Sequence, residues 1–262
     1  MMQLPSPPVL ALGLAACRVA GVCLLAPVVA SPVVPRRVAL ALAILLGAAA
    51  LPGALDAHTQ HLPTTVGGAV GCAALECALG AAMGLMALLP VAALRTAGSL
   101  CGVQMGLGFG SLYDSSQADE PGAWDGIEQL LGMAALAVFV WAGGLESLAL
   151  GVLRSFDYVP VASALGLSGM AAMLTRGLLA CSELALRVAL PVTAVLMAET
   201  LVTGVLSRAM PALGPVQFGF PARVGIGLLA LAAGAAATQD ALHGASGAAL
   251  DALHTWMTGG AA

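Results

Sequence analysis

An all-α membrane protein, with about six long hydrophobic helices in hairpins and several of them kinked at proline, is the fold class this sequence predicts. Two observations carry it. Of 262 residues, 60% are hydrophobic and 8% charged, with a mean hydropathy of +0.99; a soluble domain of that balance has too little polar surface to cover its core. The apolar residues also fall into runs near the roughly 20 needed to cross a bilayer as a helix. Aromatics are only 4%, so interfacial belts are weak, and the abundance of Ala and Gly points to close helix packing. The chain reads as one domain, 1–262.

The first span is Val9 to Val29, with Arg18 inside it. Pro27, Pro32 and Pro35 break it into a turn, and Arg36 and Arg37 mark an interface. The second is Val38 to Leu55, followed by a polar loop from Asp56 to Thr65. The third, Val66 to Leu89, carries the spaced pairs Gly67/Gly71 and Gly80/Gly84 and a lone Glu76, and Pro90 kinks or ends it. The fourth runs from Ile127 to Leu153 and holds Glu146; Arg154 to Arg176 is a mixed connection. The fifth, Leu178 to Leu206, contains Glu183, Arg187, Pro191 and Glu199. The sixth is Phe218 to Ala237. A closing amphipathic helix over 240–257 sets Leu242, Leu250, Leu253, Trp256 and Met257 along one side. An ionised group at the bilayer centre costs about 2.5–3.5 kcal/mol on insertion scales, so the helices bearing these charges face protein or water.

The stretch from Leu94 to Asp125 stands apart. It begins as a helix with Gly98, Gly102, Gly106 and Gly110 spaced four apart, close to one face, and then becomes a polar, acidic loop. Each glycine costs roughly 1 kcal/mol against alanine inside a helix, whereas in a membrane a small-residue stripe admits another backbone. Two readings follow: an interhelical seam with an ordinary surface loop, or a packing face that leads into a moving part. Met105, Leu107, Phe109 and Leu112 are adaptable apolar groups, and Gly106, Gly108 and Gly110 supply hinge freedom.

Charge and motifs exclude several classes. A net charge of −4, with all nine cations arginine, leaves no basic nucleic-acid footprint. The six cysteines lie in apolar runs without a CxxC pair and read as small buried hydrophobes. His58 and His61 have only Asp56 nearby, too few ligands for a metal site. Gly106 to Gly110 lacks the strand and helix of a dinucleotide fingerprint, so neither catalysis nor a cofactor is expected. The first apolar run has no basic segment before it and is expected to stay in the mature chain. Glu183 and Arg187, at i and i+4 in the favourable order, are expected to pair. Glu76, Glu183 and Glu199 could form a proton path, but the preferred reading groups them with Arg95 and Arg187 in ion pairs between helices.

A resemblance then emerges from an ordered set of motifs. These are Arg18-Val19, Ala26-Pro27-Val28 and Val34-Pro35-Arg36-Arg37-Val38, then Arg95-Thr96-Ala97-Gly98, Gly102, Gln104-Met105-Gly106-Leu107, Phe109 and Asp114. Leu186 to Val192, Leu206 to Leu213 and Gly219-Phe220-Pro221 follow in order. The set resembles the FliR family of flagellar export-gate proteins, whose injectisome counterpart is SctT. The chain departs from the family pattern at Ser115, Ala212 and Glu146.

The resemblance implies a core subunit of a type III export gate. Family members join FliP and FliQ in a helical cone of homologous subunits, with FlhB around the base and FlhA beneath, and unfolded substrates pass through it. It implies a bacterial inner-membrane location at the flagellar basal body, with the cone partly on the periplasmic side. It further implies a plug loop over 106–122, with Met105, Gly106, Leu107, Gly108, Phe109, Gly110, Leu112, Tyr113 and Asp114 at its start. An injectisome subunit and a stand-alone six-helix secondary transporter are the alternatives, although the halves show no inverted repeat.

Overall fold

The computed structural model describes residues 6–30, 35–49, 63, 65–107, 126–162, 170–209 and 219–257. These residues form seven α-helices: α1 (Pro7–Leu25), α2 (Arg36–Ala49), α3 (Val66–Met105), α4 (Gly126–Trp141), α5 (Gly144–Tyr158), α6 (Met170–Ala209) and α7 (Phe220–Met257). Three of them, α1, α3 and α6, are long and apolar enough to cross a membrane; counting α4 with α5, and the two parts of α7, as bent spans brings the total to five. The chain is an all-α membrane protein.

Local chemistry explains where the helices differ from the sequence reading. Helix α1 opens with prolines in its first turn, where their missing N–H groups cost nothing, and it stops at Leu25. Ala26 precedes Pro27 and is extended, at ψ 125°, because a proline disfavours helical geometry in the residue before it. Pro90 and Pro191, by contrast, lie inside continuous 40-residue helices. A proline removes one hydrogen bond, a loss that membrane-type helices tolerate without breaking. The expected fourth span is two helices, broken at Ala142–Gly143. Gly143 is left-handed at φ +72°, and a Cβ on Gly144 would fall 2.5 Å from the Phe139 ring. The expected mixed connection shrinks: α5 runs on to Tyr158 and α6 begins at Met170. The closing amphipathic segment continues the sixth run as one helix, bent between Ala235 and Thr238.

By contacts the chain forms two compact units. The first comprises Met1–Leu89, Phe139–Leu179 and Ser246–Ala262. Here α1 packs on α2, with Gly47 over Ala16, and on α3 through three glycines. A Cβ on Gly80 would meet the Arg18 carbonyl, one on Gly21 the Cys77 carbonyl, and one on Gly84 the Val22 carbonyl at 2.7 Å. Leu14, Val19, Met83, Met86, Val152 and Phe156 fill the core. The second unit comprises Pro90–Val138 and Ala180–Ala245. Its core is a column on α3, Ala93, Ala97, Cys101 and Met105, together with Ala185, Val188, Val192 and Leu196 on α6.

The glycine seats differ in what they face. Valine at Gly80 must displace backbone, so Gly80→Val is expected to destabilise the purified protein by about 1–3 kcal/mol or more. Gly71 has open space around it, and Gly71→Val is expected to leave the denaturation midpoint in detergent unchanged.

Candidate functional site: paired charges and glycine seats

The charged residues of the apolar runs are mostly spent on one another. Arg18 on α1 and Glu76 on α3 are each 1% exposed, with Arg18 Nε donating to Glu76 Oε2 at 2.5 Å. Arg18 Nη1 donates to the carbonyl and to the hydroxyl of Ser155, both at 3.2 Å, and its guanidinium lies 4.3 Å from the Phe156 ring centroid. Ser155 sits in the last turn of α5, where unpaired carbonyls concentrate negative charge that a cation complements. The other carboxylate oxygen, Glu76 Oε1, accepts the Ala162 N–H at 2.9 Å. Ala162 is left-handed at φ +67°.

Three further pairs lie in the second unit. Arg95 Nη2 on α3 is 3.4 Å from Glu128 Oε1 on α4. Gly98 and Gly132 make room for this crossing: a Cβ on Gly98 would meet Glu128 Cα at 2.6 Å, and one on Gly132 would meet the Arg95 stem at 2.8 Å. Glu199 on α6, 4% exposed, accepts from Arg223 Nε on α7 at 3.2 Å. Arg223 Nη2 also donates to Thr200 Oγ1 at 2.6 Å. Glu183 and Arg187 pair within α6 at 2.6 Å, and both are about two thirds exposed. That pair joins successive turns of one helix, so it is not the inter-helix contact grouped with Arg95, Glu76 and Glu199. Among the described residues, no cluster of His, Cys, Asp or Glu is arranged to hold a metal.

The glycine stripe ends sooner than its spacing suggests. Gly98 and Gly102 lie within α3 and Gly102 is buried, but α3 ends at Met105. Gly106 is buried and left-handed, φ +79°, its N–H bonded to the Val103 carbonyl at 3.0 Å. It is a helix-terminating glycine, not an interior one. Met105, expected at the start of the plug loop, is the last residue of α3. It is fully buried, and a Cβ on Gly227 of α7 would fall 2.5 Å from its Cε. It is a packing residue at the root of the loop, and Leu107 beside it is half-buried. Gly108, Phe109, Gly110, Leu112, Tyr113 and Asp114 lie outside the described residues, as do Asp56, His58 and His61.

Comparison with known proteins gives this arrangement its context. Residues 9–247 match the family described as bacterial export proteins, family 1. Flagellar biosynthetic protein FliR of Escherichia coli (strain K12) is 30% identical over 210 residues, covering 79% of this chain and 77% of that protein. The chain belongs to the FliR family. FliR of Pectobacterium carotovorum subsp. carotovorum is 29% identical over 209 residues, with 79% and 77% covered. FliR of Caulobacter vibrioides is 26% identical over 216 residues, with 82% and 84% covered. As a FliR-family chain, it is a membrane component of flagellar protein export.

The sequence analysis named Glu76, Glu199 and Arg95 but did not pair them with Arg18, Arg223 and Glu128, nor find the role of Ser155 and Ala162. A signal was present in Arg18 and Glu76, the lone charges of two apolar runs and opposite in sign.

Removing one member of the buried pair leaves an uncompensated charge or an unsatisfied donor. Arg18→Met or Glu76→Gln is expected to cost about 3–5 kcal/mol, whereas Glu183→Gln is expected to leave the subunit's stability near wild type. Denaturation of the purified chain in mixed micelles measures both.

Proposed function

We propose that the chain is the FliR-type subunit of the flagellar export gate in the bacterial inner membrane. In this reading it co-assembles with FliP and FliQ, with FlhB and FlhA at the base, and lines the path of unfolded substrates. The observation that carries the proposal is the FliR match across about four fifths of the chain. All three of these relatives are named flagellar, which favours the flagellum over the injectisome.

The chain's surface supports an assembled subunit rather than a solitary transporter. The best apolar window of α3 is 67% buried within the chain, but that of α6 is only 28% buried. Leu179, Leu186, Leu190, Met197, Leu201 and Val205 on α6 are exposed, as are Leu40, Ile44 and Leu45 on α2. Helices α3, α6 and α7 contain 40, 40 and 38 residues, about 60 Å each at 1.5 Å per residue, roughly twice the hydrocarbon thickness of a bilayer. Partner helices would cover what lipid does not.

The segment 106–122 serves in this proposal as a plug. Met105 is its fixed root, Gly106 the point where the helix lets go, and Leu107, Phe109 and Leu112 the apolar groups that close on one another or around a passing strand.

Deleting Gly110 to Gly122 from the chain co-expressed with its partners is expected to raise small-ion leak through the reconstituted complex without preventing assembly. A photo-cross-linker at Phe109 is expected to trap an arrested export substrate, and one at buried Met105 is not. Unchanged conductance together with no substrate cross-link at Phe109 removes the plug from the proposal.

A further inference from the structure

The turn after α5 holds an alanine where glycine is the usual residue. Ala162, at φ +67°, is the non-glycine residue with positive φ among the described residues. In that region its Cβ crowds the following carbonyl, and alanine has no polar side chain to offset this locally. Something elsewhere must hold it. Its N–H donates to Glu76 Oε1 at 2.9 Å, across 86 residues of sequence.

We propose that the Arg18–Glu76 pair is a clip that selects the left-handed turn at Ala162, at the end of the short described stretch that follows α5. The two side chains grip both ends of this short segment. Arg18 Nη1 bonds the Ser155 carbonyl, which also accepts the Val159 N–H that caps α5. Glu76 holds Ala162, three residues further on, while its second oxygen stays on Arg18. A Cβ on Gly80 or Gly21 would strike backbone of the facing helix, so α1 lies against α3 closely enough to fix both Cα positions. Phe156 closes the other face of the guanidinium. Withdrawal of the carboxylate removes the hydrogen bond that holds Ala162, which then relaxes to ordinary negative φ. The inference stands on these contacts alone and does not depend on the export reading.

The test uses the full chain purified in detergent, with three variants: Ala162→Gly, the double Arg18→Met/Glu76→Met, and all three changes together. Replacing both members of a buried pair by apolar groups of similar volume preserves a fold that single changes break. Hydrogen exchange read by mass spectrometry is expected to show the Ala162 amide at least about tenfold faster in the double variant, with the α1 amides unchanged. Ala162→Gly is expected to raise the melting temperature by about 2–4 °C in the wild type and by nothing in the double variant, where the turn is no longer held. Unaltered exchange at Ala162, or an equal gain from glycine in both backgrounds, overturns the clip. Should the double variant not fold, the Ala162 amide in the wild type decides: exchange as slow as that of the α1 amides supports the clip, and exchange at the rate of an open amide overturns it.

Discussion

An arginine buried in the middle of an apolar helix sets conditions that its neighbours must meet. Arg18 is 1% exposed, and a guanidinium cannot shed its charge, so burial has to be met by partners. The chain supplies one carboxylate, two oxygens of Ser155 and an aromatic face, drawn from α3 and α5. Those partners converge only because Gly21, Gly80 and Gly84 let α1 and α3 approach until backbone meets backbone. The magnitudes order the effects. A left-handed alanine costs about 1–2 kcal/mol, and a hydrogen bond to a charged group contributes about 1.5–3 kcal/mol. The bond from the Ala162 N–H to Glu76 therefore offsets the strain of the turn.

The remaining pairs grade from covered to open, and the gradation follows what each helix has beside it. Glu199 is covered by Arg223 from α7 at a point where the buried stripe of α6 continues through Val192 and Leu196. Arg95 lies across Gly132 with its head half in the open, reaching Glu128. Glu183 and Arg187 have only each other, on a helix whose apolar side chains are largely uncovered. Neutralising one charge with another lowers the cost of placing both in apolar surroundings, but it leaves unused donors and acceptors. Such a pair on such a helix fits a face that other protein covers.

What the sequence made legible was whatever depends on composition or on neighbours along a helix. The membrane class followed from the balance of apolar to charged residues, the Glu183–Arg187 pair from its spacing, and the family from motifs in order. Helix ends were harder. Pro90 and Pro191 are strong local breakers, yet each lies in an unbroken 40-residue helix, because a helix of this kind tolerates the loss of one hydrogen bond. Gly143 looks no different from the other glycines of its run, but it is the one that takes positive φ and splits the expected fourth span. Partners for Arg18 and Glu199 were not legible for a different reason. They come from residues 58 and 24 positions away, and only the tertiary fold sets those distances.

Met105 marks where the buried column of α3 ends. Four-residue spacing drew attention to the glycines of this helix, and the buried column runs along nearly the same face: Ala93, Ala97, Cys101 and Met105, all fully buried. The glycines flank that column and let α4 come close at Gly98. The column stops where Met105 fills the space over Gly227, and one residue later the backbone turns left-handed at Gly106. A methionine wedged against a bare backbone position is a firm anchor, and a glycine at positive φ ends a helix at little cost. The root of the following segment is thus fixed by packing on one side and freed from helical geometry on the other.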